Sequence, residues 1–197
     1  MARPRTFDEQ DVVDRAMELF WTRGYETTSI TDLTATLGVH PGTLYRTFGD
    51  KHALFLRALA HYRERLADDL APTLLEGGPV LPRIRAVLIG WIDLAVQQDQ
   101  PRGCLIANTA GELLPGDEEV ARSLRGVLSV VEDGFLQGLQ AAARQGEISS
   151  DLDLPAAAAM LTILLEGLQV IVKADPDPRR LVAAVDTALL ALTPVHA

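Results

Sequence analysis

A short stretch, GVHPGTLYRTFGDK at residues 38–51, gathers hydrogen-bond donors and a cation on one small element. Thr43, Tyr45 and Arg46 fall within about one helical turn, and Lys51 follows at the start of the next segment. Donors placed in this way can reach phosphate oxygens or base edges from one helix face. The whole chain carries a formal net charge of −9, so global charge does not indicate nucleic acid. A nucleic-acid function would therefore depend on where these few groups are placed.

A second candidate for chemistry is Cys104, the one cysteine of the chain, in RGCLIANTAGEL at 102–113. A thiol near a helix N-terminus has a lowered pKa, which favours the thiolate and suits a sensor of electrophiles or oxidants. Arg102 and Lys173 could add positive charge beside it. The alternative is a small buried hydrophobe, which free cysteines often are. Both interpretations stay open at the level of sequence.

Motifs that would indicate an enzyme or a bound cofactor are missing from the sequence. The four histidines show no metal-ligand spacing, and no GxSxG, phosphate loop or CxxC pair occurs. We therefore expect no enzymatic activity, no metal and no cofactor. A thiol-dependent enzyme built on Cys104 remains as an alternative.

The sequence predicts a cytoplasmic protein without a membrane helix. A single cysteine excludes an intramolecular disulfide and is compatible with a reducing compartment. Residues 154–172 are apolar and long enough to span a bilayer, but Glu166 and Gln169 interrupt them. A carboxylate in mid-segment is costly in hydrocarbon. A helix buried against partner helices accounts for this segment better.

Hydrophobic periodicity predicts an all-α fold of about nine helices. The first lies at 8–23, a short second helix ends at Gly38, a third runs from Pro41 to Thr47, and a fourth is capped by Asp50. A linker-like break follows at 73–80. The larger remainder contains helices at about 80–98, 102–113, 117–145, 154–173 and 178–192.

Two short helices joined by a tight turn form helix-turn-helix geometry, although an ordinary helical hairpin with a solvated polar face would fit the same pattern. Residues 7–55 resolve this choice because they resemble the DNA-binding domain of the TetR/AcrR transcriptional regulators without a gap. The matching residues are Ala16, Leu19, Phe20, Gly24, Tyr25, Thr28, Ser29, Ile30, Leu33, Leu37, Gly38, Val39, Gly42, Thr43, Leu44, Tyr45, Phe48, Lys51 and Leu54.

The resemblance implies a helix-turn-helix DNA-binding domain at 1–51 and a helical ligand-binding and dimerisation domain at 52–197. It further implies a sequence-specific regulator, a repressor that an apolar or electrophilic inducer or a thiol-reactive signal releases from a palindromic operator. A non-specific DNA-binding structural protein is the alternative. We expect a homodimer through the two C-terminal helices, although these could also be core helices of a monomer.

The resemblance also implies which residues touch DNA. Thr28 and Ser29 open the second helix at a phosphate, and Lys51 matches a backbone-contacting lysine. Two departures from the family pattern, His40 and Pro41, shift base reading toward Thr43 and Arg46. The complete set of expected DNA contacts is Arg3, Arg5, Thr28, Ser29, His40, Gly42, Thr43, Tyr45, Arg46 and Lys51.

The larger helical region should contain a pocket for the inducer, and an apolar cavity with few polar groups would suit a hydrophobic or aromatic small molecule. A Gly-Cys-Leu entry to the helix at 102–113 resembles a subgroup of the family that senses small or reactive molecules. The candidate ligand or sensor residues are Trp91, Cys104, Asn108, Glu112, Phe135, Glu166 and Lys173.

Overall fold

A computed structural model describes residues 8–97, 102–149 and 151–193 of the 197-residue chain. The described part contains nine helices and no strand, which confirms the predicted all-α class. In chain order the helices are α1 (Glu9–Arg23), α2 (Ile30–Leu37), α3 (Pro41–Phe48), α4 (Lys51–Leu75), α5 (Val80–Val96), α6 (Leu105–Leu113), α7 (Glu118–Gln145), α8 (Leu154–Ala174) and α9 (Pro178–Leu190).

Aspartate side chains explain where most of the helices begin. At the N-terminus of a helix the first backbone N–H groups lack partners, and a carboxylate before them accepts their hydrogen bonds. Ser29 and Asp32 form the capping box that the sequence predicts at α2. The helices that begin in this way behind an aspartate are capped by Asp8, Asp50, Asp117, Asp153 and Asp177.

Most helix boundaries differ from the sequence prediction by one or two residues, and two of the differences change the connecting loops. Helix α4 continues to Leu75, into the predicted break at 73–80, because the fully buried Leu74 packs in the core. Helix α6 begins at Leu105 rather than at 102, because Gly103 takes a positive φ of 67° and Cys104 is the cap residue. The break after α4 is therefore shorter than predicted, and the loop before α6 is longer.

Helices α4 and α7 pack closely and form the central pair of the body. Two glycines of α7 allow this approach: a Cβ atom on Gly134 would lie 2.9 Å from Leu70, and one on Gly138 would lie 3.3 Å from Leu74. Both leucines are buried. Helix α8 then packs against α7 and α5, and α9 against α5.

Helix α8 is, by length and composition alone, long and apolar enough to cross a membrane. The core helix of a globular protein satisfies the same criteria. Its residues Leu161, Leu165 and Leu168 are buried within the hydrophobic core. One face of the helix is thus buried against its neighbours, while Ile163 and Val170 on the rest of its surface are exposed.

Helices α1 to α3 form a small unit against the first half of α4. Phe20, Leu33, Leu44 and Phe55 are all at most 2% exposed and close its core. Since α4 begins at Lys51 and continues without interruption into the body, the predicted domain boundary between 51 and 52 falls in the first turn of a continuous helix. That boundary stays a prediction.

Candidate nucleic-acid interface and junction cavity

The turn before α3 is fixed from both sides, so that α3 has a defined orientation. Gly38 ends α2 in the left-handed conformation, with φ 66°, and Val39 N–H bonds the Thr34 carbonyl oxygen. From α1, the Arg15 guanidinium donates to the carbonyl oxygen of Leu37. The last turn of α2 is thereby tied to α1, and α3 leaves the turn at a set angle.

Helix α3 has one buried and one exposed face. Leu44 and Phe48, four residues apart, are buried in the core of the small unit. Tyr45, which is 48% exposed, and Arg46 lie on the outside. Neither side chain makes a hydrogen bond or an ion pair with any residue that the structure describes. They are therefore free to bond an external partner without breaking a bond within the protein.

The N-terminus of α3 is open to close approach. His40 is the cap residue and its side chain makes no capping hydrogen bond, while Pro41 at the first helical position has no N–H. The Thr43 N–H bonds the His40 carbonyl oxygen at 2.8 Å. Gly42 is exposed, and nothing lies within 4 Å of where its Cβ would stand. The half-buried Thr43 follows at the edge of this opening.

Thr28 and Ser29 hold the start of α2 rather than offering free hydroxyls. Thr28 is completely buried and its hydroxyl donates to the Gly24 carbonyl oxygen at 2.6 Å, so its side chain is not placed to touch phosphate. The exposed Ser29 hydroxyl accepts from the Asp32 N–H at 3.1 Å as the cap of α2. Hydrogen bonds from Ser29 are the main reason that the pKa of Asp32 is lowered.

Lys51 differs most from its predicted role as a phosphate contact. Its ammonium donates to the Tyr25 and Thr28 carbonyl oxygens at 2.8 and 3.0 Å and lies 4.1 Å from the centre of the Tyr25 ring. Both carbonyl oxygens belong to the turn between α1 and α2; that of Tyr25 also accepts the Thr28 N–H at 3.2 Å, and Lys51 donates to both. The described geometry makes Lys51 a positioning residue for the start of α2. Arg3 and Arg5 lie outside the described residues.

A cavity of about 270 Å³ lies at the junction of the small unit and the body. Both tryptophans of the chain line it, Trp21 from α1 and Trp91 from α5, together with Tyr62 from α4. The Trp21 and Tyr62 rings meet edge to face at 5.3 Å. Cys104 and Gln169 complete the body side of the wall. The cavity is therefore bounded in part by the first helix of the small unit.

Arg102 joins α1 to the entry of α6. Its guanidinium lies 3.8 Å from the centre of the Trp21 ring and forms an ion pair of 2.5 Å with Glu18. The Trp21 indole in turn donates to the carbonyl oxygen of Gly103 at 2.9 Å. These three contacts lie along one side of the cavity and join α1 to the loop before α6. A movement of α1 therefore displaces this loop, and the reverse.

Cys104 lies in the cavity wall, but the predicted lowering of its thiol pKa is wrong. Burial, followed by the charge of Glu166, raises the pKa of Cys104 to about 12, although backbone N–H groups of Ala107 and Ile106 act in the opposite direction. The thiol is 2% exposed and its Sγ lies 3.6 Å from Glu166 Oε1. Desolvation outweighs the helix N-terminus here, and the thiol is protonated at neutral pH.

Glu166 lies on α8 behind Cys104. Its Oε2 is buried and has no hydrogen-bond partner among the described residues. Burial raises the pKa of Glu166, and it also raises the pKa of the neighbouring Tyr62, whose hydroxyl lies 3.9 Å from the Cys104 sulfur. Three adjacent titratable groups thus lie in a largely buried environment in which one carboxylate oxygen has no partner.

The remaining candidate ligand residues lie elsewhere. Asn108, Glu112 and Lys173 line a separate open groove of about 740 Å³ between the end of α1 and helices α6 and α8. Lys173 donates to the Asn108 side chain at 2.9 Å and does not pair with Cys104. Phe135 is completely buried on α7 and lines none of the described cavities. It is a core side chain, and its prediction as a pocket residue is wrong.

Glu112 makes the most specific contact across the junction. From the last turn of α6, its carboxylate accepts the Tyr25 N–H at 2.9 Å and the Glu26 N–H at 2.7 Å. A Cβ on Gly24 would lie 3.1 Å from both carboxylate oxygens, so glycine leaves room for the approach. The α1–α2 turn is consequently held by Glu112 on one side and by Lys51 on the other.

Sequence reasoning missed most of the residues that build the cavity. Trp91 and Cys104 are the two candidates that the structure places in its wall, whereas Trp21, Tyr62 and Gln169 were not among them. Trp21 follows the buried Phe20 on α1, beside the apolar stripe. A large aromatic ring at the edge of a buried stripe is a signal for a second packing surface. Within the described residues no three His, Cys, Asp or Glu side chains are grouped to hold a metal ion.

Comparison with known proteins shows the family of this chain. The model of bacterial regulatory proteins of the tetR family matches residues 12–58, and the model of the tetracyclin repressor-like C-terminal domain matches residues 80–188. The chain belongs to the TetR family of transcriptional regulators. It is therefore a sequence-specific DNA-binding regulator, and the predicted N-terminal helix-turn-helix and C-terminal helical regions are confirmed.

TetR-family relatives resemble the chain over nearly its whole length. The uncharacterised HTH-type transcriptional regulator YezE of Bacillus subtilis is 35% identical over 98% of this chain and 100% of its own. The HTH-type transcriptional repressor ComR of Escherichia coli is 29% identical, over 95% and 90%. A cysteine mutant of the regulator CifR, solved with 26-base-pair operator DNA, superposes with a TM-score of 0.83 at 30% identity, covering 98% of this chain and 100% of that one.

Proposed function

We propose that this TetR-family protein is a cytoplasmic, homodimeric repressor that leaves a palindromic operator when a small molecule fills the junction cavity. The outer face of α3 is the observation that supports sequence-specific DNA binding. Tyr45 and Arg46 are exposed there without a hydrogen-bond partner among the described residues, while Leu44 and Phe48 anchor the opposite face in the core. The complex of the CifR mutant with operator DNA, at 30% identity, supports operator binding by this chain.

The position of the cavity supports regulation by a ligand. Its wall combines Glu18 and Trp21 of α1 with Trp91 and Cys104 of the body. A molecule that separates these walls moves α1, and α6 extends from Cys104 in the wall to Glu112 at the α1–α2 turn. Release of DNA requires that the ligand bind the DNA-incompetent conformation more tightly, because equal affinity for both conformations shifts nothing.

Exposed apolar side chains on the last two helices support a homodimer. Of the seven large apolar side chains that are exposed in the described residues, four lie on these two helices, among them Ile163 at 73% and Leu190 at 71%, and a concentration of exposed apolar groups is typical of a surface that a partner covers. A two-fold pairing through these helices would present two copies of α3 to two half-sites about one helical turn apart. Sedimentation of Ile163→Glu should show a monomer, while Leu75→Glu, outside this face, should leave a dimer.

The raised pKa of Cys104 argues against reaction of its thiol as the main signal, and against a thiol-dependent enzyme. If release follows non-covalent filling of the cavity, Cys104→Ser should respond to a cavity ligand as the wild type does. A Cys104→Ser variant that loses its response to electrophiles, but keeps its DNA affinity, would instead support thiol-reactive sensing.

Selection of bound DNA from a random pool tests the proposal first. A repressor should yield a palindrome and bind it about 10³-fold or more tightly than scrambled DNA at the same salt concentration. Equal affinity for both would support the non-specific, structural alternative. Titration of ligands against the selected operator then tests induction, and a broad panel without effect on operator affinity would contradict it.

A further inference from the structure

We propose that the junction cavity takes a small lipophilic cation, an amine on an aromatic or aliphatic body, selected by the carboxylate of Asp69 in its lining and, at longer range, by that of Glu166 behind Cys104. This inference rests on the proposed function and specifies the chemical class of its ligand. It goes beyond the expectation of an apolar or electrophilic inducer that the sequence suggests.

The walls of the cavity suit the body of such a ligand. Trp21, Tyr62 and Trp91 contribute three aromatic rings, and Leu66 and Leu94 add aliphatic surface. An aromatic face attracts a cation through its quadrupole, most strongly when the cation is desolvated. The protein already uses this attraction at the rim of the cavity, where the Arg102 guanidinium lies 3.8 Å from the centre of the Trp21 ring.

Both arginines in the wall are already neutralised by partners within the protein. Arg102 pairs with Glu18 at 2.5 Å. Arg65 pairs with Asp14 at 3.2 Å and lies 3.9 Å from the same Glu18. An anionic ligand would have to compete with these carboxylates for its cation. The arginines thus offer little free positive charge to an incoming molecule.

The carboxylate of Asp69, by contrast, has no such partner. It lines the cavity and is exposed, and it forms no hydrogen bond or ion pair with any described residue. Arg65, one turn earlier on α4, is directed to Asp14 and Glu18 instead. Asp69 is consequently available to an ammonium group at the exposed side of the cavity.

Glu166 supplies a second carboxylate, which is not part of the cavity lining and lies behind the Cys104 sulfur. Its Oε2 is buried without a partner, and its Oε1 receives the Cys104 thiol, whose sulfur lies in the cavity wall. A cation that enters the cavity favours the ionised form of a carboxylate whose pKa burial has raised. The nearby Lys173 bonds Asn108 in the adjacent groove. Among the described residues, the charged lining group without a partner is therefore the carboxylate of Asp69.

Tryptophan fluorescence of the full chain measures binding directly, because both tryptophans line the cavity. Three probes of matched shape, 4-phenylbutylamine, 4-phenyl-1-butanol and 4-phenylbutyrate, are a cation, a neutral molecule and an anion at neutral pH. We expect the amine to bind with a Kd roughly tenfold below that of the alcohol, which corresponds to the attraction of one favourable charge contact. The carboxylate should bind more weakly than the alcohol.

Substitutions locate the selectivity. Asp69→Asn is an exposed change that should not disturb folding, and Glu166→Gln preserves the buried shape. Each should reduce the preference for the amine over the alcohol by several-fold and leave the Kd of the alcohol nearly unchanged. Asp68→Asn is the matched control, since it removes the same charge from the neighbouring position of α4 but does not line the cavity; its preference should equal that of the wild type.

The outcomes separate this inference from the proposed function. If the alcohol or the carboxylate binds as tightly as the amine and releases operator DNA, the cavity is an effector site but its preference for cations is refuted. Equal loss of preference in Asp68→Asn would show a general charge effect and would also refute it. If none of the three probes quenches tryptophan fluorescence, the cation site is refuted. If a probe binds but operator affinity never changes, the proposed regulation fails instead.

Discussion

The outer face of α3 and the junction cavity are built in opposite ways. On α3, Tyr45 and Arg46 are exposed and have no hydrogen-bond or ionic partner within the described chain. At the junction, Arg102, Glu112 and Lys51 each have two or more partners across helices. The first surface can bind an external molecule without rearrangement. The second cannot change its contacts without moving α1 or the α1–α2 turn.

This difference separates recognition from control. A side chain without an internal partner on a rigid helix binds DNA at little cost in free energy, because no internal bond is lost on binding. A network of satisfied polar groups at a junction has discrete arrangements, and a ligand that favours one of them shifts the population of conformations. The comparison predicts that substitutions on α3 change operator affinity with little change in stability, whereas substitutions at the junction change stability and response.

Arg46→Ala should have the largest effect on operator binding. Loss of a base contact costs about 1–3 kcal/mol, or roughly five- to 150-fold in affinity, and random-sequence DNA should be affected much less. Fluorescence anisotropy with operator and scrambled duplexes at one salt concentration measures both. Arg122→Ala, an exposed arginine on α7, is the control and should change neither. Equal losses on both duplexes would assign Arg46 to the phosphate backbone.

Lys51→Met should lower the free energy of unfolding by about 2 kcal/mol, because it removes a partly buried cation that bonds two carbonyl oxygens. The salt dependence of operator binding should stay the same, since Lys51 releases no counterion from DNA in this account. Chemical denaturation and binding across a salt series measure these effects. Lys173→Met, at the second lysine of the chain, should cost much less. If operator affinity depended less on salt concentration in Lys51→Met than in the wild type, the predicted phosphate contact of Lys51 would be supported.

Glu112→Gln should destabilise the junction by about 1 kcal/mol, because an amide offers one acceptor oxygen where the carboxylate accepts two N–H groups. Hydrogen exchange at the Tyr25 and Glu26 amides should accelerate, and the response of operator affinity to a cavity ligand should weaken. Glu64→Gln, an exposed carboxylate on α4, serves as control. Unchanged hydrogen-exchange rates at these amides would show that Glu112 does not hold the α1–α2 turn in solution.

Glu166→Gln should produce the smallest effect, visible as a function of pH. Burial raises the pKa of Glu166 above its ordinary value of 4.5 in the folded state. The stability that the protonated acid contributes is therefore complete below about pH 4.5 and is lost as the pH rises through the folded pKa. Relative to the wild type, Glu166→Gln should thus gain stability as the pH rises from about 4.5 through the raised folded pKa. If the free energies of unfolding of the two proteins changed with pH in the same way, the raised pKa of Glu166 would be contradicted.

The helices and the reading face of α3 could be predicted from sequence because their determinants are local. Ser29 with Asp32, Gly38 and Pro41 fix α2, the turn and the start of α3 through contacts within a few residues. The departure at His40 and Pro41 from the family pattern is local as well, and it leaves the start of α3 uncapped by a side chain.

The junction could not be predicted in the same way, since its contacts join distant segments. The pKa of Cys104 depends on burial and on Glu166, 62 positions away, and a helix N-terminus alone predicts the opposite direction. The ammonium of Lys51 is directed to carbonyl groups more than 20 positions earlier. Trp21 reaches the cavity only because α1 packs beside the entry of α6.

Reciprocal linkage between the cavity and the operator tests the central claim most directly. A cavity ligand should be titrated by calorimetry into the free protein and into the protein saturated with operator DNA. If the junction couples the two sites, operator must raise the ligand Kd by the same factor by which the ligand raises the operator Kd. We predict a factor of about 5 to 100 in both directions. The same ligand Kd with and without operator would show that the cavity does not control DNA binding.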